Sequence, residues 1–249
     1  MSRSNPNERP VNPSTKFFEW NGKDGNFFYY DKEKKTKVDV PFPFVFLVLD
    51  QLSTIKGWSD ADQSGIWSNE VKHKDAILQV RTKKGLQVEG KYADIKGKVV
   101  GADFTTSVYI AFKDETGKLA IGNIAMNGSC LNAWIDFSKG KKVEEGAIRV
   151  ENYTEAKKGA ISYRMPAFIS FACSQKTNDE AVALDATLQA YLNQYLAYVP
   201  PAEEAKPEFK PEAAPETKPS AVAPKDDFLG SLEMGASVIS TPAASFDDF

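Results

Sequence analysis

Basic and aromatic side chains alternate along the middle of the chain, in a mixture that suits a strand of nucleotides. The cations are Lys72, Lys74, Arg81, Lys83, Lys84 and Lys91, and the flat rings near them are Trp58, Trp67 and Tyr92. Single-stranded nucleic acid is bound by cations that follow its phosphates and by rings that stack on its bases. Arg81 and Lys83 are two residues apart on a predicted strand, so they should share one face. The competing interpretation is a core of packed aromatics beneath solvated lysines.

Residues that could carry catalysis or hold a metal are few. His73 is the only histidine, and the two cysteines, Cys130 and Cys173, lie far apart in apolar runs. A nucleophilic triad or a usual zinc site needs more than these. Residues 60–65 begin like a calcium loop, but its twelfth position is Val71, where the pattern needs Glu. We therefore expect no enzyme, no metal and no cofactor, although carboxylates could still pair in space as in a nuclease.

The last fifty residues differ in composition from the rest. Residues 200–249 contain eight prolines, ten acidic residues and four lysines, a net charge of −6, whereas residues 1–199 carry +3. Such a segment has too little apolar surface to offset the entropy of ordering, so a disordered tail is expected. A mildly basic body with an acidic arm suggests a protein that binds polyanions.

Two acidic-aromatic motifs lie in this tail. They consist of Asp226, Asp227 and Phe228, and of Asp247, Asp248 and Phe249. Each combines two carboxylates with an aromatic ring, and a matching receptor is an apolar slot rimmed by Lys and Arg. That receptor could be a pocket of another protein or the basic surface of this one. The motif at Phe249 is the stronger candidate for a docking peptide.

Short runs of β-prone residues, separated by turn residues, predict a mainly β protein. Strands are predicted at 17–20, 26–30, 37–40, 66–72, 76–83, 86–90, 107–112, 119–126, 147–153 and 160–173. Prolines after the third of these place it near a sheet edge. Residues 44–49 and 130–137 each fit a strand or a short helix, and 56–65 is predicted to be a loop.

One helix has a clear predicted start, a capping box from Thr177 to Glu180, followed by apolar residues on one face. One helix among many short strands favours an antiparallel β-barrel or sandwich, and among small barrels the OB-fold suits a nucleic-acid binder. We therefore predict a flexible arm over 1–15 and a single OB-fold-like domain, with elaborations and a C-terminal helix, over 16–199. The disordered tail with its docking peptide occupies 200–249.

The start of the chain does not resemble a targeting segment. Met1 to Ser14 is polar and contains three prolines. The longest apolar run, Phe42 to Leu49, is far shorter than the ~20 residues that span a bilayer. The two cysteines fit free thiols in a reducing compartment. The expectation is a cytoplasmic protein that does not bind membranes.

This layout resembles that of bacteriophage single-stranded DNA-binding proteins, which combine a β-rich basic body with a flexible tether and an acidic end closing on Phe. The stretch from Lys37 to Trp58 is also similar to phage proteins of this class. The resemblance implies one OB-fold and sequence-independent binding and protection of single-stranded DNA in replication and recombination, in the cytoplasm of an infected bacterium. It also implies a tail that recruits replication and recombination proteins and shields the DNA groove when DNA is absent.

Two other classes of protein fit the same residues. One is a virion or adaptor protein whose β body binds protein and whose tail is a docking peptide. The other is a nuclease or another DNA enzyme with a carboxylate site, which would need a divalent metal. The preference for DNA over RNA and the extent of self-association are not decided by the sequence.

Overall fold

A computed structural model describes residues 10–73 and 75–198, and these form eleven strands and three helices. The strands are β1 Lys16–Asn21, β2 Asn26–Asp31, β3 Thr36–Asp39, β4 Phe44–Ser59, β5 Ser64–Trp67, β6 Leu78–Thr82, β7 Gly85–Gly90, β8 Ala102–Lys113, β9 Leu119–Met126, β10 Ala147–Lys158 and β11 Ile161–Phe171. The helices are α1 Tyr92–Ile95, α2 Gly128–Ser138 and α3 Gln175–Ala197. The prediction of a mainly β protein with a C-terminal helix is confirmed.

All eleven strands belong to one sheet. The main path runs β3-β2-β1-β9-β8-β4-β5-β6-β7, and β10 joins it by pairing with β4 and with β11. Within the described residues, no pairing closes this sheet into a barrel. The expectation of purely antiparallel strands is wrong at one place, because β1 pairs with β9 in parallel. The predicted edge position of the third strand is confirmed, since β3 ends the path.

The longest strand, β4, is the one around which the sheet is built. Its first half pairs with β10 on one side and β8 on the other, and its second half pairs with β5 and β8. The predicted loop over 56–65 is therefore wrong at both ends, because β5 begins at Ser64 and β4 continues to Ser59. Gly57 lies in this continuation, and a glycine within a strand allows another segment of backbone to approach closely.

The main core fills the inner face of the sheet. Buried aromatic and aliphatic residues of β1, β2, β4, β8, β9 and β10 pack there against α2. The segment 130–137, which fitted either a helix or a strand, is helical, with Cys130 and Trp134 one turn apart in the core. Spacing of four residues puts both side chains on one face of a helix. Cys130 is a buried thiol and Cys173 is a half-buried one, and neither forms a disulfide.

Helix α3 covers part of the opposite face of the sheet, which we call the outer face. Leu188 and Leu192 are fully buried there against Leu52 of β4 and Tyr109 of β8. The predicted capping box at Thr177 is displaced by three residues. Ser174 is the N-cap, and its hydroxyl accepts a hydrogen bond from the backbone N–H of Thr177. The predicted box would have satisfied the amide of Glu180, whereas Ser174 satisfies that of Thr177, so the helix begins three residues earlier than predicted.

Two further predictions concern the ends of the chain, a flexible arm over 1–15 and a disordered tail over 200–249. In the predicted arm, Thr15 donates its backbone N–H to Ile121, and Asn12 donates to the Tyr109 hydroxyl on the outer face. The predicted disordered tail lies outside the described residues. None of the described helices has the length and hydropathy that crossing a membrane requires.

Candidate nucleic-acid interface

Four strands at one end of the sheet align a row of side chains on the outer face. Lys56 of β4 is the cross-strand partner of Trp67 of β5, Trp67 is the partner of Arg81 of β6, and Arg81 is the partner of Leu86 of β7. Directly opposed residues in antiparallel strands have Cα atoms about 4.5–5.5 Å apart. We call these four residues, together with Trp58, the outer row.

The burial pattern of the strands directs the outer row towards solvent. The alternate residues Ile55, Ile66 and Val80 are buried beneath it in a separate small core. Because neighbouring residues of a strand point to opposite faces, the row must project away from that core. Trp58 is 54% exposed and Trp67 is 45% exposed, which is unusual for such large apolar rings. Two indole rings are therefore open to a ligand.

A close backbone contact fixes the end of β4 that bears Trp58. The Trp58 N–H donates to the Gly101 carbonyl at 3.2 Å. A Cβ on Gly57 would lie 1.9 Å from the Gly101 carbonyl oxygen, and a Cβ on Gly101 would lie 2.1 Å from the Trp58 carbonyl oxygen. Gly101 also has φ of +82°, which favours glycine. Glycine is therefore required at both positions for Trp58 to be held in place.

The turn that joins β6 to β7 contains Lys83 and Lys84, and both are exposed. The Nζ atom of Lys84 lies 2.5 Å from Asp62 Oδ1, and the Thr82 hydroxyl donates to Asp62 Oδ2 at 2.8 Å. The Lys84 ammonium and the Thr82 hydroxyl hold the pKa of Asp62 below its usual range. Lys84 therefore already has an ionic partner, which a phosphate would have to displace. Lys83 lies just after β6 ends, so it does not continue the strand face of Arg81.

The remaining predicted contacts lie away from the outer row. Lys72 forms an ion pair with Asp50 at 3.3 Å, and the same carboxylate accepts a hydrogen bond from Gln189 of α3. Tyr92 packs on the Phe104 ring, with centroids 4.8 Å apart, beside the small core. Burial, together with the Asp103 carboxylate, raises the pKa of Tyr92.

The other predicted site residues divide into two groups. Lys91 is exposed and is the N-cap residue of α1, which leads from β7 towards β8. Lys74 and both acidic-aromatic motifs of the tail, Asp226 to Phe228 and Asp247 to Phe249, lie outside the described residues. The structure thus brings together Trp58, Trp67 and Arg81 and leaves the rest of the predicted set around them.

Two members of the outer row, Lys56 and Leu86, are absent from the predicted set. Lys56 and Trp58 are two residues apart, so they share one face only if this stretch is recognised as a strand. Assigning this stretch to a loop removes that signal. Leu86 becomes adjacent to Arg81 only through the pairing of β6 with β7, which includes an irregularity after Val80.

The outer row offers flat rings for stacking, two cations for phosphates and a small apolar edge. Among the described residues, no three His, Cys, Asp or Glu side chains are grouped as metal ligands. No family model, no curated protein and no solved structure matches this chain. The site is therefore interpreted from its own geometry.

Proposed function

We propose that the protein binds single-stranded DNA without sequence preference, and that it acts by binding rather than by catalysis. The observation that carries the proposal is the outer row, where the exposed Trp58 and Trp67 accompany Lys56 and Arg81 on one sheet face. Stacking on such rings is worth roughly 1–3 kcal/mol per base and tolerates any base. The cations supply the salt-dependent attraction to phosphates.

The order of the strands supports an OB-fold as part of this proposal. β4, β8 and β9 are successive neighbours in the sheet, α2 follows, and β10 returns to pair with β4 before the chain enters β11. A strand that pairs with both the next strand and a later returning strand is a Greek-key feature, and the OB-fold is a partly open Greek-key barrel. In that scheme β5, β6 and β7 elaborate the connection between strands 1 and 2, which contacts oligonucleotides in OB-folds.

The biological setting belongs to the same proposal. A phage single-stranded DNA-binding protein would protect DNA during replication and recombination in the cytoplasm of the infected bacterium. The acidic tail would recruit replication and recombination proteins through Asp247, Asp248 and Phe249. The support for this part is the sequence layout, since the tail lies outside the described residues.

A fluorescence titration tests the proposal. Trp20 and Trp134 are buried whereas Trp58 and Trp67 are exposed, so stacking should quench mainly the two exposed indoles. We expect an oligo(dT) strand to quench the tryptophan emission and duplex DNA of equal length to bind more weakly. The logarithm of the binding constant should fall with the logarithm of the salt concentration, with a slope of about −0.7 per phosphate neutralised. Binding that ignores salt, or that favours duplex, contradicts the proposal. Complete absence of binding favours the adaptor alternative.

A further inference from the structure

A pocket of about 240 Å³ lies between the end of α2, the start of β10 and the end of β11. Its walls are formed by Phe137, Lys141, Lys142, Val143, Gly146 and Ser170. None of these residues belongs to the outer row, and none stands out in the sequence as a site residue.

The floor of the pocket is apolar and aromatic. The Phe137 ring packs on Trp134 and Phe168, with ring centroids 5.7 and 5.5 Å away, and Val143 is buried beside it. Rings prefer such tilted or offset neighbours, and a further aromatic side chain would gain both burial and ring contacts. The floor therefore favours an aromatic ligand group.

The rim of the pocket is cationic. Lys141 Nζ lies 4.1 Å from the centroid of the Phe137 ring, at the edge of the apolar floor. Lys142 Nζ lies 2.5 Å from the carboxylate of Glu145, and both of these side chains are exposed. Two lysines line the pocket, so a ligand with carboxylates beside its ring would meet Lys141 directly and would have to displace Glu145 from Lys142.

The pocket is remote from the candidate nucleic-acid interface. It adjoins the start of β10, where Ala147 pairs with Leu47 of β4, whereas Trp58 lies at the opposite end of β4. Leu47 and Trp58 are eleven positions apart on β4, which at about 3.3 Å per residue is a distance of roughly 35 Å. A ligand in this pocket would not cover the outer row.

We propose that this pocket receives the acidic-aromatic end of the same chain, with the Phe249 ring on the floor and Asp247 and Asp248 against Lys141 and Lys142. The ligand and the pocket have complementary charge, and each combines charge with an aromatic surface. Fifty residues lie between Tyr198 and Phe249, and a random-coil chain of that length has an end-to-end distance of roughly 40 Å. The end of the chain can therefore reach the pocket, at an effective concentration on the order of millimolar.

This inference goes beyond the proposed function and does not depend on DNA binding. A peptide docked in its own body is not available to other proteins. Partners that recognise the same aspartates and phenylalanine would have to displace it, and the pocket would set how readily the peptide is presented.

Paramagnetic labelling of the full-length protein tests the proposal. Cys173 is changed to Ser, Ser245→Cys supplies a site for a nitroxide, and the buried Cys130 thiol stays unlabelled, since burial raises its pKa. We expect the amides of residues 137–146 and of Ser170 to broaden. Broadening should vanish when Phe246→Ala and Phe249→Ala are added, because the aromatic rings that would fill the pocket are lost. These changes leave the folded body untouched.

A matched pair of charge reversals locates the receptor. Lys141→Glu with Lys142→Glu should lower the docked population by about tenfold, as expected for loss of charge-assisted contacts. The control is Lys34→Glu with Lys35→Glu in the β2–β3 turn, where Lys34 also pairs with an acid three residues away. The control should leave the broadening unchanged, and thermal melts should show that both proteins are folded.

Three outcomes would overturn the proposal. The first is broadening centred on Trp58, Trp67 and Arg81, which would make the nucleic-acid interface the receptor. The second is equal loss of broadening in both charge-reversal variants, or no local broadening at all. The third is broadening that passes from spin-labelled protein to a separate isotope-labelled copy, which would show that the peptide docks between molecules.

Discussion

Trp67 lies between two cations, Lys56 on one neighbouring strand and Arg81 on the other. Its indole cannot turn inward, because Ile66 and Val80 already fill the core beneath it. A tryptophan has only two side-chain torsions, so it loses little conformational freedom when a base stacks on it. Binding therefore needs little rearrangement of the outer row.

Replacing Trp67 with Ala should weaken oligo(dT) binding by roughly 1–3 kcal/mol, the usual cost of losing one stacked base. Tyr30→Ala is the control, because Tyr30 is similarly exposed but lies on β2, towards the opposite end of the sheet. Fluorescence anisotropy with a labelled oligonucleotide gives both affinities. Equal losses in the two variants would show that Trp67 has no special role.

Arg81→Ala combined with Lys83→Ala should weaken binding and flatten the salt dependence, because up to two phosphate contacts are lost. Lys83 is exposed and Arg81 is half-buried, and losing such charges at the surface usually changes stability by about 1 kcal/mol or less, so the melting temperature should change little. Lys34→Ala with Lys35→Ala, in the β2–β3 turn, is the control for total charge. An unchanged salt slope in the first variant would mean that these side chains do not contact phosphate.

Some features of the candidate site can be predicted from the sequence, and others cannot. The clustering of Trp58, Trp67 and Arg81 among lysines is enough to predict that they lie near one another, and the strand pairings confirm this. The ion pair of Lys84 could not be predicted, because its partner Asp62 is twenty-two residues away in the sequence. Tyr92 has the same composition signal as the tryptophans, and only the position of Phe104 directs it into a ring pair.

At the scale of the elements, the end of β4 depends on contact with the segment before β8. Gly101→Ala should lower stability and shift the Trp58 emission, because the new Cβ would collide with the Trp58 carbonyl oxygen. Gly97→Ala is the matched control: its φ of +78° is also left-handed, but no atom lies within 4 Å of the place that its methyl group would occupy. The control should cost only the backbone strain, about 1–2 kcal/mol.

Thermal melts and tryptophan emission measure both glycine variants. If Gly97→Ala and Gly101→Ala behave alike, then strain alone explains the loss and the close contact does not position Trp58. If only Gly101→Ala changes the emission, the close contact is what holds Trp58 in place.

Elements are predictable where local chemistry defines them. The hairpins β1–β2, β8–β9 and β10–β11 follow from turn residues between β-prone runs, and all three are confirmed. The second half of β4 is not predictable in this way, since Lys56, Gly57, Trp58 and Ser59 together give a weak strand signal. Its strand form comes from pairing with β5 and β8.

At the scale of the whole molecule, the acidic tail and the basic body should attract one another through long-range charge. Deleting residues 226–249 should raise the affinity for oligo(dT) at low salt and change it little at high salt, where screening is strong. The control is the full chain with Phe228→Ala and Phe249→Ala, which keeps the tail charge and should therefore not raise the affinity. Equal affinities of the truncated and full-length proteins at low salt would contradict an electrostatic competition.

The assembly of the sheet lies beyond sequence patterns. Alternation shows that a segment is a strand, but it does not name the partner. The pairings of β1 with β9 and of β10 with β4 join segments about a hundred residues apart. An open sheet and a closed barrel give the same alternation of apolar and polar residues. The sequence pattern therefore could not distinguish a barrel from the open path of strands.

The parallel pairing of β1 with β9 also has a consequence for how the protein is made. The ribosome releases β1, β2 and β3 long before β9, so the first strands wait for a neighbour that is still being synthesised. Contacts of such large sequence separation slow folding, and unpaired strand edges are prone to aggregation in the meantime. We therefore expect the nascent N-terminal hairpins to be a target for chaperones until residue 126 has left the exit tunnel.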